Sequence, residues 1–151
     1  MAYTLVRLPA VQVIGMAFKT KDHNQQSVRD IPNFWKAYFS KNVEASIPHK
    51  VEPLKRICVY TSYNPEGYTV IIGACVTKLE NVPPALIGRE LPPGEYALFG
   101  MNGPVEEAAA KAWHHIQSIA DLPRAYTHDF ELYEYEKADV LREAKIFISV
   151  K

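Results

Sequence analysis

The chain has 151 residues and balances 17 Lys plus Arg against 17 Asp plus Glu, so its formal charge is zero. That length suits a single domain, or one assembled from two similar halves, with a sizeable buried core. Zero net charge provides no global field to gather polyanions, which argues against direct nucleic-acid binding and against attraction to an anionic membrane surface.

The opening stretch "MAYTLVRLPAVQVIGMAF" has no charged segment leading into a continuous apolar run, so it does not read as a signal peptide, and no apolar run approaches bilayer-spanning length. The two cysteines, Cys58 and Cys75, lie in strand-like segments, and no Asn-x-Ser/Thr sequon is present. These features predict a reduced, cytoplasmic protein with two free, buried thiols.

Taken in chain order, "LPAVQVIGM" (Leu8 to Met16) reads as a Leu-Pro entry into a strand. The next segment, "DIPNFWKAYFS" (Asp30 to Ser40), places Ile31, Phe34, Trp35, Tyr38 and Phe39 on one helical side. This short helix is expected to start near Asp30 to Pro32, with Asp30 or Ser27 as cap, and to end near Asn42. "RICVYTSY" (Arg56 to Tyr63) and "YTVIIGACV" (Tyr68 to Val76) are strands joined as a hairpin through "NPEG". "NVPPA" (Asn81 to Ala85) then links to a second series.

That second series echoes the first. "LPPGEYALFGM" (Leu91 to Met101) repeats the Leu-Pro strand entry, and "MNG" leads into a helix with Pro104 in its first turn and Glu106 and Glu107 at its positive end. "AAKAWHHIQSIA" carries Trp113 mid-helix, as the first helix carries Trp35. "DFELYEYE" (Asp129 to Glu136) matches "RICVYTSY", setting Tyr133 against Tyr60, and "AKIFISV" (Ala144 to Val150) matches the strand ending at Val76. The expected fold is therefore α+β: one domain over 1–151, its halves about 1–80 and 85–151, each a strand-helix-strand-strand unit. A pseudo-twofold joins their strands in an antiparallel sheet with two main helices. The seam between halves is where a groove is expected.

Chemistry-bearing motifs are sparse. No phosphate-binding loop, H-E-x-x-H, G-x-S-x-G or C-x-x-C occurs, and neither a metal nor a cofactor is expected. His114 and His115 are adjacent on a helix and point about a hundred degrees apart, so they read as one half-buried and one solvated residue rather than a ligand pair. His23, His49 and His128 fall in loops. The glycines around Gly100 and Gly103 precede a helix start, where packing alone accounts for them.

The informative pattern is in "DFELYEYE". Period-two alternation puts Phe130 and Leu132, like Ile57 and Val59, on an apolar face expected to meet the helices. Glu131, Tyr133 and Tyr135 then share the other face with Cys58, Tyr60 and Ser62. Two readings fit: an ordinary solvated sheet face, or an aromatic cleft with one off-centre carboxylate, suited to a flat, lipophilic cation. The surrounding acids Asp129, Glu134, Glu136, Asp139 and Glu143 add a negative field compatible with either.

"RELPPGEYALFGMNGPVEEAAAKAWHHI" followed by "DFELYEY" resembles the C-terminal half of GyrI-like small-molecule-binding domains, the effector-binding part of many AraC-type and MerR-type bacterial transcription regulators. The first half is similar through "VIGMAF", "IPNFWKAYF" and "IIGACV". The resemblance implies a stand-alone, duplicated fold with a central groove for hydrophobic and often cationic compounds. It makes Glu131 the groove glutamate, lined by Tyr133, Tyr60 and Tyr96, with Trp35 and Trp113 as further candidates. Val105 departs from the tyrosine common after Gly-Pro, and "ADLPRAYTH" lacks the usual glycine. The function implied is sensing or sequestration of amphipathic cations, with a protein such as DNA gyrase as a partner in some relatives. The alternative is hydrolysis of strained cyclopropane-bearing DNA-alkylating compounds, with Glu131 as general base and Tyr133 or Tyr60 beside it. Binding is favoured, because phenols are the only proton donors at hand and their ordinary pKa is near 10.

Overall fold

The computed structural model describes residues 3–101, 105–137 and 140–151, with the side chains of Val105 and Glu106 also outside the description. Gly103, Pro104 and Asp139, and the roles read for them and for Glu106, thus lie outside the described residues. The elements are β1 (Thr4–Leu8), β2 (Val11–Thr20), α1 (Gln26–Ser40), α2 (Val43–Ser46), β3 (Lys55–Asn64) and β4 (Gly67–Cys75). A second series follows: β5 (Ile87–Leu91), β6 (Gly94–Gly100), α3 (Val105–Ser118), β7 (His128–Lys137) and β8 (Val140–Ser149).

The strands form one antiparallel sheet in the order β1-β6-β8-β7-β3-β4-β2-β5. Exchanging each first-half strand with its second-half counterpart reverses this order and leaves it unchanged, which is the signature of a pseudo-twofold between β3 and β7. Backbone hydrogen bonds repeat the symmetry: Val76 N–H to the Gln12 carbonyl recurs as Val150 N–H to Glu95, and Val51 N–H to Cys75 recurs as Ala125 N–H to Ser149.

Each half contains one more strand than the sequence reading assigned. β1 and β5 precede the Leu-Pro corners and pair with the opposite half, β1 with β6 and β5 with β2. Their short length and mixed pattern conceal them, since only one ladder partner stabilises each.

α1 starts at Gln26, earlier than the proline suggested, because Ser27 Oγ donates to Asp22 Oδ1 at 2.8 Å and pins the first turn. Asp30 is not a cap; it accepts from Thr20 Oγ1 and Gln26 Nε2. Pro32 sits inside the helix, and the carbonyl its ring leaves without a donor belongs to exposed Val28, where solvent can serve it. α1 ends at Ser40, and the single turn of α2 follows.

The helices cover the opposite sheet face from the one expected. Ile31, Phe34, Trp35 and Tyr38 of α1 pack over Ile14, Ile72, Cys58, Tyr60 and Tyr133. Ala112 and Ile116 of α3 pack on Ala97, Phe99, Ile146 and Ile148. Ile57, Val59, Phe130 and Leu132 instead meet Val13, Ile71, Leu91, Tyr96 and Phe147, all strand residues, so the curled sheet closes that core on itself. Curvature has a local cause where Gly15 and Gly73 pair directly in β2 and β4: a Cβ on Gly73 would run into the Ile14 carbonyl. Cys58 and Cys75 are free thiols and contribute to opposite cores, Cys58 buried and Cys75 partly so. Among the described residues no helix is long and apolar enough to cross a membrane.

Candidate functional site

The central ladder places the glutamate. β3 and β7 pair with Cys58 opposite Glu131, Arg56 opposite Tyr133 and Tyr60 opposite Asp129. All six side chains project to the helix-covered face, so the floor of the seam between α1 and α3 is two strands wide and three residues long on each.

Glu131 is 3 % exposed. Its Oε1 accepts from Tyr133 Oη at 2.6 Å, and its Oε2 accepts from Tyr60 Oη at 2.9 Å and Trp113 Nε1 at 2.6 Å. None of the described cations pairs with it. Burial raises the Glu131 pKa above its ordinary value, although the three donors pull the other way. Burial, together with the neighbouring carboxylate, also holds the phenols of Tyr60 and Tyr133 well above the ordinary tyrosine range, so both remain donors. Cys58, two residues from Tyr60 on the same face, is likewise held protonated by burial.

The tryptophans complete the roof by crossing over. Trp113 of the second half sets its ring edge-on to Tyr60 of the first, with centroids 5.2 Å apart; Trp35 of the first half does the same to Tyr133 of the second, at 5.8 Å. The arrangement is pseudo-symmetric in shape and asymmetric in chemistry, because Trp113 alone bonds to the carboxylate.

A part-buried ion pair flanks the seam at each end. Arg56 forms a two-pronged contact with Glu44 of α2, Nε to Oε1 at 2.8 Å and Nη2 to Oε2 at 3.1 Å, and its guanidinium lies over Phe39 and Tyr135. Arg124 bonds Asp129 Oδ2 at 2.8 Å and lies over Tyr126 and, at 6.0 Å, Trp113. Tyr63 Oη donates to the same Asp129 oxygen, and Ser149 donates through its amide and hydroxyl to Oδ1.

Of the predicted residues, Glu131, Tyr133, Tyr60, Trp113 and Trp35 come together. Tyr96 does not: it lies on the opposite face, its ring 5.4 Å from Phe130 and 6.2 Å from Phe147, because β6 alternation and its pairing with Ser149 turn it into that core. There burial pushes its pKa up to about 12. Ser62, expected on the site face, is exposed, since its left-handed backbone (φ 55°) forms a bulge that turns Tyr63 inward instead. Sequence reasoning also missed Arg56, Arg124 and the interior position of Asp129. The alternation that placed Glu131 applies equally to Asp129, two residues before it, and was the available signal. His114 is exposed and His115 half-buried against Phe99.

Residues 4–150 match the Cass2 family, described as integron-associated effector binding protein. No curated protein matches by sequence. Among solved structures, SAV2435 bound to tetraphenylphosphonium is 16 % identical with a TM-score of 0.84, over 100 % of this chain and 94 % of that one. A candidate bacterial transcription regulation protein from Staphylococcus aureus Mu50 is 17 % identical with a TM-score of 0.75, over 100 % and 99 %. The integron cassette protein Cass2 from the mobile metagenome of Vibrio cholerae is 21 % identical with a TM-score of 0.74, over 100 % and 97 %. The duplicated sheet thus has the GyrI-like fold of these structures, and the chain belongs to the Cass2 family of integron-associated effector-binding proteins.

Proposed function

We propose that the protein binds lipophilic organic cations in the seam between α1 and α3, with Glu131 as the counter-charge and Tyr60, Tyr133, Trp35 and Trp113 as the aromatic lining. The observation that carries the reading is a buried carboxylate whose donors are two phenols and an indole, all uncharged. Those groups satisfy its lone pairs and leave its charge without compensation. An aromatic face holding a desolvated cation contributes about 2 kcal/mol. A unit charge pair at 4 Å contributes roughly 4 kcal/mol at an effective dielectric near 20, before desolvation costs. Their sum, about 6 kcal/mol, corresponds to a Kd of roughly tens of micromolar before desolvation costs and before further aromatic faces engage.

Because the seam is closed over Glu131, entry requires the aromatic side chains to swing aside, so the site is a groove that opens around its ligand. The similarity in fold to a protein solved with tetraphenylphosphonium supports this ligand class. Sensing or sequestration in the cytoplasm follows, with any partner protein reading the ligand-filled form. Binding is favoured over hydrolysis because both phenols near Glu131 hold their protons more tightly than free tyrosine, and a hydrolytic step would need a proton donor for the leaving group.

The test is a dye-displacement titration with tetraphenylphosphonium. Glu131→Gln is expected to abolish displacement while circular dichroism shows an unchanged fold; equal affinities for the two proteins would refute the role of the glutamate. Mass spectrometry of the recovered compound distinguishes binding from turnover, and an unaltered molecule is the expected result.

A further inference from the structure

Resting on that reading, we infer that the seam is built for a single positive charge and discriminates against dications, with Cys58 the residue that sets this limit. The argument is a charge count on the helix-covered face. Of the three carboxylates that reach the central floor and its ends, Glu44 is committed to Arg56 and Asp129 to Arg124. Both of those guanidinium contacts are short and have one fully or nearly fully buried partner, so a ligand gains little by competing for either acid. Among the described residues that leaves Glu131 as the one floor carboxylate without a cationic partner.

The pseudo-twofold then gives Cys58 its significance. Cys58 occupies the position equivalent to Glu131, and the two are also direct partners in the β3–β7 ladder. A symmetric site would therefore hold two carboxylates face to face on the axis. The first half instead supplies a thiol, fully buried on the floor beside Tyr60. A flat dication lying across the axis would direct one charge at Glu131 and bury the other against a neutral sulfur, at the desolvation cost that makes unpaired buried charges rare. A monocation carries no such penalty.

The experiment compares three cations by calorimetry: tetraphenylphosphonium, N-methyl-4-phenylpyridinium, and the size-matched dication N,N′-dimethyl-4,4′-bipyridinium. The protein is expected to bind the pyridinium monocation at least about tenfold more tightly than the dication, a difference of roughly 1.4 kcal/mol. In Cys58→Asp that ratio is expected to shrink or invert, measured at a pH where both carboxyls ionise. Equal affinities, or tighter dication binding by the unsubstituted protein, overturn the inference and leave the binding function standing. So does an unchanged ratio in a folded Cys58→Asp variant. If that variant does not fold, the unsubstituted protein's ratio decides alone. Failure of all three cations to bind instead overturns the function on which the inference rests.

Discussion

Cys58 and Glu131 face each other across the β3–β7 ladder and are at the same time each other's counterparts under the pseudo-twofold, so the symmetry axis passes between a thiol and a carboxylate. The aromatic rings about that axis are matched, Tyr60 by Tyr133 and Trp35 by Trp113, while the pair on the axis itself is mismatched in charge. A duplicated chain that had kept equivalent residues here would confront either two acids or none. The substitution on one side concentrates the chemistry of the seam on one carboxyl group.

The first prediction concerns pH. Burial holds the folded pKa of Glu131 above its ordinary 4.5. Between those two values the folded chain keeps a proton that the unfolded chain releases. The stabilisation from protonated Glu131 is thus fully present below the unfolded pKa and is lost as pH rises through the folded one. Urea denaturation across this window is expected to show the unsubstituted protein losing stability with rising pH relative to Glu131→Gln. Parallel curves would remove Glu131 as the source. In the same window cation binding is expected to strengthen with pH and to release a proton.

The two tryptophans are predicted to differ despite their equivalent positions. Trp113→Phe keeps an aromatic ring against Tyr60 but removes the Nε1 donor 2.6 Å from Glu131. Loss of one partner from a buried acceptor costs about 1–3 kcal/mol. Trp35→Phe keeps a ring in place and trims its contacts with Tyr133, Tyr38 and Phe39 in part, where about 0.5–1.5 kcal/mol is the whole worth of one aromatic pair. Urea midpoints should fall further for Trp113→Phe than for Trp35→Phe, and the opposite order would contradict the hydrogen-bond assignment.

Asp129 is predicted to be structural. It is fully buried and gathers Arg124, Tyr63 and both donors of Ser149. Asp129→Ala leaves a guanidinium 12 % exposed with no countercharge, a change that typically costs about 3–5 kcal/mol. Because Arg124 also lies over Trp113, the variant is expected to shift the tryptophan emission of the folded state. A loss of under about 1 kcal/mol in equilibrium unfolding, set against the usual cost of breaking a buried pair, would mean that the network contributes little.

By itself the sequence determined the duplication, the order of the larger elements, and the alternation that puts Glu131, Tyr133, Tyr60 and Cys58 on one face. These are local or repeated features: hydrophobic period, turn residues and internal echo can all be read along the chain. The leading strands β1 and β5 escaped because each is short and held by a ladder to the other half of the molecule. The side on which the helices pack was equally out of reach. Both faces of β3 and β7 are buried, and alternation separates two faces without saying which of them a helix covers. Tertiary structure alone decided that Tyr96 belongs to the far core, that a bulge at Ser62 brings Tyr63 to Asp129, and that Arg56 and Arg124 engage the other acids. Each depends on partners distant in the chain or on a register shift, because the charge left on Glu131 is defined by what its neighbours already hold, and neighbours across a sheet are set by folding.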